Sequence, residues 1–450
     1  MRNLQLSNTR LGLHYFPDTL HYRDMDLRVW LPELRALGIS WIVLSAPVDR
    51  AIPEDFICGL LQAGVEPILH FTFHLNPIPD TDDLATLFSA YASWGVRFAM
   101  LFDRPNSQCA WTAAAWAQTN LVDHFLDRYL PLAERLIEAG LAPIFPPLEP
   151  GGDYWDTAFL RASLESMLQR NQTRLLDQLI LGVYAASGEQ PLEWGMGGPE
   201  HWPGARPYQT PPEEQDQCGF CIYDWYRTIT QAVLGKTLPI MLFSVGSPGM
   251  FLTKEQWKIS AEEHAQRNII LAQLASGMPQ LPFSDPLPDE IKACNFWLLA
   301  TTQDNPQCVQ AWYQPEGQTL PVVGMLRQLQ SERAKLSASS PVEVAPVLET
   351  STDKSASLEV NRPIAHYVLL PVKDQGKTEF YLDSIRPFVK KYFPTIGFSD
   401  EEAVLARQVT IISEGHEFPE ERVQKLRAAG CRVVHLSGSG TELAHFLATL

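Results

Sequence analysis

Polar residues of three chemical types follow one short apolar stretch in the first quarter of the chain. The stretch, residues 97–102, is apolar after its first residue and leads directly into Asp103, Arg104 and, after one proline, Asn106. A carboxylate can transfer a proton, a guanidinium can hold an anion, and an amide can bind hydroxyl groups. Such an apolar run predicts a buried strand of a parallel sheet, and ligand-binding loops gather at the C-terminal ends of these strands in α/β barrels. We therefore predict that the three side chains face a ligand.

The chain around this stretch repeats a strand, loop and helix pattern, which must position those side chains. The predicted strands are 11–16, 41–44, 67–74, 97–102, 142–145, 179–184, 238–243 and 309–313. A helix predicted over 321–336 closes the ring. Eight such units in about 335 residues predict a (β/α)8 TIM barrel, an α/β fold, with Asp103, Arg104, Glu149 and Glu193 at the same rim.

The end of predicted strand four resembles that of retaining glycoside hydrolases built on TIM barrels. In that family the strand ends in Asn-Glu-Pro-Asn, a Trp often follows, and the Glu is the general acid/base. Here Asp103 stands at the Asn position and Arg104 at the Glu position, with Trp111 after them. An arginine, with a pKa above about 12, cannot donate a proton at neutral pH, so the acid/base role does not transfer to Arg104.

The nucleophile position of the same family is also substituted. The resemblance places the nucleophilic Glu at the end of strand seven, in a context like Pro-Ile-x-x-Thr-Glu-x-Gly, and residues 239–246 of this chain carry Ser244 there. A retaining mechanism needs two carboxyl groups about 5 to 5.5 Å apart. A serine attacks only with an adjacent base, and no histidine follows strand six or eight at an obvious position. The resemblance implies a glycosidase scaffold that lacks both usual carboxylates.

Other candidate site residues lie at predicted strand ends and in the loops after them. Glu149 follows strand five, next to strand four, so Asp103 and Glu149 are the predicted catalytic residues if carboxylates have moved. The loop 185–217 is rich in Gly, Pro and Trp, and aromatic rings can stack on the apolar faces of sugars. The predicted substrate-binding residues are Arg104, Asn106, Asp153, Trp155, Tyr184, Glu193, Trp194, Ser244 and Trp312.

No metal or cofactor site is predicted. His70 and His74 are four residues apart on strand three, but such side chains share a face without converging on one point unless the chain turns. We expect them, and His14 on strand one, to serve the structure or to hydrogen-bond a substrate. Cys218 and Cys221 have the spacing of half a zinc site, yet no second pair completes it, so we interpret them as buried thiols.

Composition indicates which partners and which cellular compartment to expect. The formal net charge of −17 disfavours nucleic acid and anionic lipid as partners, and a saccharide or glycan is expected instead. The first ten residues lack the apolar segment of a secretory signal, no run is long enough to span a bilayer, and seven cysteines do not suggest a disulfide framework. These features predict a cytoplasmic protein.

A second domain is predicted beyond the barrel. Residues 1–336 form the barrel, 337–362 are rich in Ser, Thr, Pro, Val and Glu and predict a flexible linker, and 363–450 predict a small open-sheet α/β domain. Its predicted strands are 366–370, 409–413 and 432–436. The segments 406–412 and 426–441 faintly resemble cell-wall-binding repeats of bacterial surface proteins. We expect an accessory domain that could hold a protein partner.

Two functions remain open from the sequence. The barrel could bind a saccharide with absent or weak hydrolysis, stacking it on Trp155, Trp194 and Trp202. Alternatively, it could be an active glycoside hydrolase whose acid and base have moved to Asp103, Glu149 or Glu193. The second reading needs two carboxylates that converge on one bond, because acid/base groups each contribute roughly 10² to 10⁴ in rate.

Overall fold

The computed structural model describes residues 9–75, 78–246, 259–278 and 280–339, together with 364–370, 395–397, 399, 403–413, 420–429 and 431–437. The chain divides into two compact units, Met1–Val342 and Glu343–Leu450. Among the described residues, no helix is long and apolar enough to cross a membrane.

Eight parallel strands form a closed barrel in the first unit, in the order in which they occur along the chain. Strand β1 pairs with β2 on one side and with β8 on the other, which closes the sheet. The strands are β1 Leu11–His14, β2 Trp41–Ser45, β3 Glu66–Phe71, β4 Phe98–Leu101, β5 Ala142–Phe145, β6 Ile180–Ala186, β7 Ile240–Gly246 and β8 Ile291–Phe296. The TIM barrel expected from the strand and helix pattern is confirmed.

The predicted position of strand eight is wrong. The eighth strand is Ile291–Phe296, whereas 309–313 contributes part of a short 3-10 helix, Cys308–Gln310, and isolated bridges made by Tyr313. Two polar residues, Lys292 and Asn295, interrupt the apolar pattern of β8 and hide it. The Asn295 amide is nonetheless buried, because its Nδ2 donates to the Leu242 carbonyl of β7 at 2.9 Å. A Cβ at Gly12 would lie 2.2 Å from Asn295 Oδ1, so β1 needs a glycine there.

Helices cover the outside of the barrel between successive strands. They are α1 Asp24–Ala36, α2 Glu54–Gln62, α3 Thr81–Ser93, α4 Ala113–Trp116, α5 Leu121–Ala139, α6 Asp156–Gln169, α7 Thr173–Leu176, α8 Gly198–His201, α9 Ile222–Leu234, α10 Ala261–Ala275 and α11 Pro321–Ser339. The long helix α5 buries Phe125, Tyr129 and Leu136 among other apolar residues of one face. It ends at Gly140, whose φ of 96° few other residues adopt.

The barrel interior is packed with side chains. One cluster fills the space inside the strands, and it consists of Trp41, Val43, Ile68, Phe98, Met100, Ile144, Ile180, Tyr184, Met241, Phe243 and Ala293. A second, larger cluster joins the strands to the helices around them. The interior is therefore a core and not a channel, as in other TIM barrels.

The second unit contains a four-stranded parallel sheet in the order β10-β9-β11-β12. Its elements are β9 Ile364–Leu369, β10 Thr395–Gly397, β11 Ala406–Ser413, β12 Arg432–Ser437 and the helix α12 Glu420–Ala428. The small open-sheet α/β domain is confirmed, although the short strand β10 was not predicted. Helix α11 extends three residues into the predicted linker, and most of that linker lies outside the described residues. So does most of the turn that carries the resemblance to wall-binding repeats.

Candidate functional site

A cavity of about 350 Å³ opens at the C-terminal ends of the barrel strands. Its polar wall comes from strands β1, β2, β3, β4 and β6 or the residues just after them, and aromatic rings complete it. The lining side chains include His14, Ser45, His70, Thr72, Asp103, Tyr184, Phe16 and Trp297. A larger cavity, about 560 Å³, lies at the opposite end of the barrel, and none of the sequence-predicted site residues lines it. The candidate site is therefore the cavity at the C-terminal ends.

Asp103 is held by two donors at the edge of this cavity. The Tyr184 hydroxyl donates to Oδ1 at 2.6 Å, and Arg104 Nε donates to Oδ2 at 2.9 Å. Burial, followed by the Asp103 charge, raises the pKa of Tyr184 well above its ordinary value, so the phenol remains a donor. The carboxylate side chain is only 12% exposed. Both oxygens of Asp103 are thus occupied before any ligand arrives.

Arg104 lies between two carboxylates. Besides its bond to Asp103, its Nη1 is 3.8 Å from Oε2 of Glu149. Burial opposes the charged form of Arg104, but the Asp103 charge leads the opposing effects and holds its pKa above the ordinary value. The structure therefore brings together Asp103, Arg104 and Glu149, as predicted.

The backbone around Asp103 adopts an uncommon conformation. Phe102 and Arg104 have φ values of 68° and 45°, in the left-handed region that non-glycine residues seldom occupy. Each such residue costs on the order of 1 kcal/mol or more, and neighbouring contacts must hold it. Here the Phe102 amide donates to the Phe71 carbonyl at 3.0 Å and the Arg104 amide to the Pro147 carbonyl at 3.1 Å.

Asn106 and Asp153 fix loops. The buried Asn106 amide donates to the carbonyls of Glu149 and Tyr154, both at 2.9 Å, and accepts from the Glu149 amide at 2.8 Å. Asn106 therefore positions the Glu149 backbone. Asp153 accepts from the Gln108 amide at 2.8 Å and is exposed. Neither residue lines the cavity.

The predicted aromatic platforms lie outside the cavity lining. Trp155 is half-buried and packs edge to face against Tyr208, and Trp194 donates from Nε1 to Asp216 at 2.9 Å. Glu193 lies in the same loop after β6, where its charge acts on Arg267 of α10. Trp312 is only 1% exposed and packs near Phe296 in the core. The wrong position of strand eight explains why Trp312 was selected.

Trp297 lies at the end of strand eight as the structure has it, and the sequence analysis missed it. It follows β8 directly, lines the cavity, and its ring lies 4.9 Å from that of His14 in an edge-to-face contact. Correct placement of β8 would have identified it. Ser244, which the resemblance placed at the nucleophile position, is fully buried with a φ of 49°.

His14 joins the cavity to the position of Ser244. The Ser244 backbone amide donates to His14 Nε2 at 3.0 Å, which links the ends of β7 and β1. Burial, and then the charge that His70 would carry, lowers the pKa of His14 to about 3. Burial also lowers the pKa of His70, partly opposed by Asp103. Both imidazoles are therefore neutral near pH 7, and among the described residues no group of three or more possible ligands could hold a metal ion.

Solved structures with a similar fold include several carbohydrate-active enzymes. A monomeric β-xylosidase from Caulobacter crescentus is 13% identical, with a TM-score of 0.45, over 72% of this chain and 68% of that one. An endo-β-1,3-glucanase from Sorangium cellulosum is 16% identical, with a TM-score of 0.38, over 71% of this chain and 97% of that one. Xylanase 10B from Thermotoga maritima is 9% identical, with a TM-score of 0.41, over 73% of this chain and 97% of that one.

No protein-family model matches the sequence, and no curated protein matches it. Identities this low describe the fold alone. What the cavity does has to be argued from the residues of this chain.

Proposed function

We propose that the cavity at the barrel mouth binds a saccharide and hydrolyses glycosidic bonds weakly or not at all. The observation that carries the proposal is the ion-paired Arg104 at the position where the resembled family has its general acid/base. A guanidinium with a raised pKa keeps its protons at neutral pH, so it cannot act as the acid that protonates a leaving oxygen. The protein would thus use a glycosidase scaffold for binding.

The cavity has the chemistry of a sugar site. Its polar atoms come from two histidines, from the hydroxyl groups of Thr19, Ser45 and Thr72, and from Asp103 and Tyr184. Its apolar wall includes Phe16 and Trp297. A volume of about 350 Å³ lies in the range of small-ligand sites, roughly 300 to 1,000 Å³. Sugars need this combination, because their ring faces are apolar and their edges carry hydroxyl groups.

The carboxylates argue against efficient hydrolysis. Among the described residues that line the cavity, Asp103 is the one carboxylate, and it accepts from both Tyr184 and Arg104. Both of its oxygens are therefore already engaged by donors of the protein itself. The alternative is a hydrolase that uses Asp103 and Glu149 as relocated catalytic residues. These two carboxylates flank Arg104, and 12% and 32% of their side chains are exposed. The experiment described next distinguishes the binding function from this hydrolase.

The test combines calorimetric titration with methyl glycosides and oligosaccharides, and assays on aryl glycosides and polysaccharides. We expect at least one saccharide to bind, with turnover absent or close to background. Asp103→Asn should weaken binding about tenfold, because it removes a charge-assisted hydrogen-bond network. Asp289→Asn, at the exposed opposite end of the barrel, is the matched control and should bind as the unmodified protein does.

The contrary result is robust turnover by the unmodified protein that Asp103→Asn or Glu149→Gln abolishes. It would replace the binding function with the relocated-carboxylate hydrolase. The double variant Arg104→Glu with Ser244→Glu restores both family positions and shows whether the scaffold alone can support hydrolysis.

A further inference from the structure

We infer that His14 and His70 form a complementary pair in the cavity, one donating and one accepting a hydrogen bond, and that this pair selects uncharged sugars. The inference rests on the proposed function and names the ligand class for the same site. It comes from the opposite hydrogen bonds that anchor the two rings.

His14 must carry its proton on Nδ1. The Ser244 backbone amide can only donate, and it donates to His14 Nε2, so Nε2 has to be unprotonated. In a neutral ring the proton then sits on Nδ1. No described residue bonds to Nδ1, and the ring lines the cavity. His14 therefore offers a ligand one N–H donor.

His70 must carry its proton on the other nitrogen. Its Nε2 lies 2.9 Å from the Phe102 carbonyl oxygen, which can only accept, so Nε2 is protonated. The neutral ring then has a lone pair on Nδ1. No described residue bonds to that atom either, and this ring also lines the cavity. His70 therefore offers a ligand one acceptor, which a hydroxyl group can satisfy by donating.

The charges around the two rings are already paired. Asp103 and Arg104 act on His70 and are bonded to each other, Tyr184 donates to Asp103, and Glu149 lies near Arg104. Around His14, strand β7 and the end of β8 contribute the aromatic rings Phe243 and Trp297.

One further pair, His21 with Asp18, lies near the mouth. His21 bonds Asp18 at 2.8 Å and stacks on Phe16, and it does not line the cavity.

Among the described residues around the two rings, a charged ligand finds no charged partner that is not already shared. A ligand carboxylate would approach Asp103 and Glu149, and the cation between them is already shared. A ligand ammonium would compete with Arg104 and Tyr184 for Asp103. A neutral sugar has one hydroxyl oxygen to accept from His14 and one hydroxyl to donate to His70. Its affinity should not change between about pH 7 and 8.5, because both rings are neutral there.

The experiment uses the full chain and calorimetric titration of a neutral glycoside, the matching glucuronide and the matching amino sugar at pH 7.0, with the neutral glycoside measured again at pH 8.5. We expect the neutral glycoside to bind at least tenfold more tightly than either charged analogue, and its affinity to change less than twofold between the two pH values. The measurements are repeated in His21→Gln, which separates any contribution of that ring from that of the cavity itself.

Two variants remove the cavity-facing atoms and keep the anchors. In His14→Gln the side-chain carbonyl can still accept from the Ser244 amide, and in His70→Gln the amide can still donate to the Phe102 carbonyl. Each should weaken binding of the neutral glycoside about tenfold, because one hydrogen bond is lost. His74→Gln changes an exposed histidine that follows β3 and is the matched control.

A measurement without variants or ligand keeps the inference testable if a variant does not fold. Nitrogen chemical shifts of the two imidazoles should show the proton on Nδ1 of His14 and on Nε2 of His70. The same tautomer on both rings, or a predominantly protonated ring at pH 7.0, would overturn the inference.

The outcomes separate this inference from the function it rests on. If no saccharide binds at all, the proposed function fails. If a neutral sugar binds but a charged analogue binds equally well, or if both Gln variants bind normally, the saccharide function stands and the histidine pair is wrong.

Discussion

Arg104 offsets negative charge at the barrel mouth, because it lies between the carboxylates of Asp103 and Glu149. Replacing it would leave Asp103 without a donor on Oδ2 and bring the charges of Asp103 and Glu149 together without a cation between them. The sequence was sufficient to predict this cluster, because residue type and strand-end position were both visible. It could not show the histidine tautomers, since these depend on backbone groups of Ser244 and Phe102 that only the fold brings into contact.

We expect Arg104→Gln to lower the free energy of unfolding by about 1 to 3 kcal/mol, measured by urea denaturation. The reason is that the partly buried Asp103 carboxylate would lose its ion-pair partner. Arg135→Gln, which removes an exposed pair with Glu138, is the control and should cost less than about 1 kcal/mol. Equal effects of the two changes would show that the Arg104 pair adds nothing to stability.

At the scale of elements, most of the barrel could be predicted and its last strand could not. Seven strands were placed by predominantly apolar runs at regular strand and helix spacing, which is how strands covered on both faces appear in a sequence. Strand β8 buries Asn295 at 0% exposure and carries Lys292, so its polar residues concealed it. Trp297 was missed for the same reason, and Trp312 was selected in its place.

The carboxylate of Asp156 links the loop before α6, the loop before α9 and helix α9 itself. It accepts from the Gly151 amide before α6, from Gln217 in the loop before α9, and from Tyr226 on α9. Burial raises its pKa to about 6, above the value near 3.8 in an unfolded chain. The folded protein therefore holds this proton more tightly. The stability that Asp156 contributes is fully present below about pH 4 and is lost as the pH rises through 6.

Asp156→Asn should remove this dependence, because an amide can keep the hydrogen bonds without ionising. We expect the stability of the variant, relative to the unmodified protein, to rise between pH 4.5 and 7.5 by about 1 to 3 kcal/mol, measured by urea denaturation at several pH values. Asp177→Asn, at an exposed ion pair with Lys236, should show no comparable trend. A difference that stays constant with pH would contradict the assignment.

At the scale of the whole molecule, the chain has two compact units, and the predicted linker falls at their boundary. The prediction of a linker came from composition, because a segment with few apolar residues has little area to bury, and its bounds stay a prediction. The arrangement β10-β9-β11-β12 was not predictable in full, since the three-residue strand β10 is too short to give a pattern.

Limited proteolysis under native conditions should cleave within residues 337–362 and release a C-terminal fragment of about 90 residues, identified by mass spectrometry. Exposed segments without regular structure fit a protease active site, whereas packed strands and helices do not. Cleavage first within the barrel, or an intact chain after prolonged digestion, would contradict a flexible linker.

The packed barrel interior has a consequence for how ligands are exchanged. Val43 and Tyr184 belong both to the interior cluster and to the lining of the cavity, so the core itself forms the floor. A cavity whose floor is the packed core opens on one side, as far as the described residues show. A ligand would therefore leave by the same side through which it entered, at the C-terminal ends of the strands.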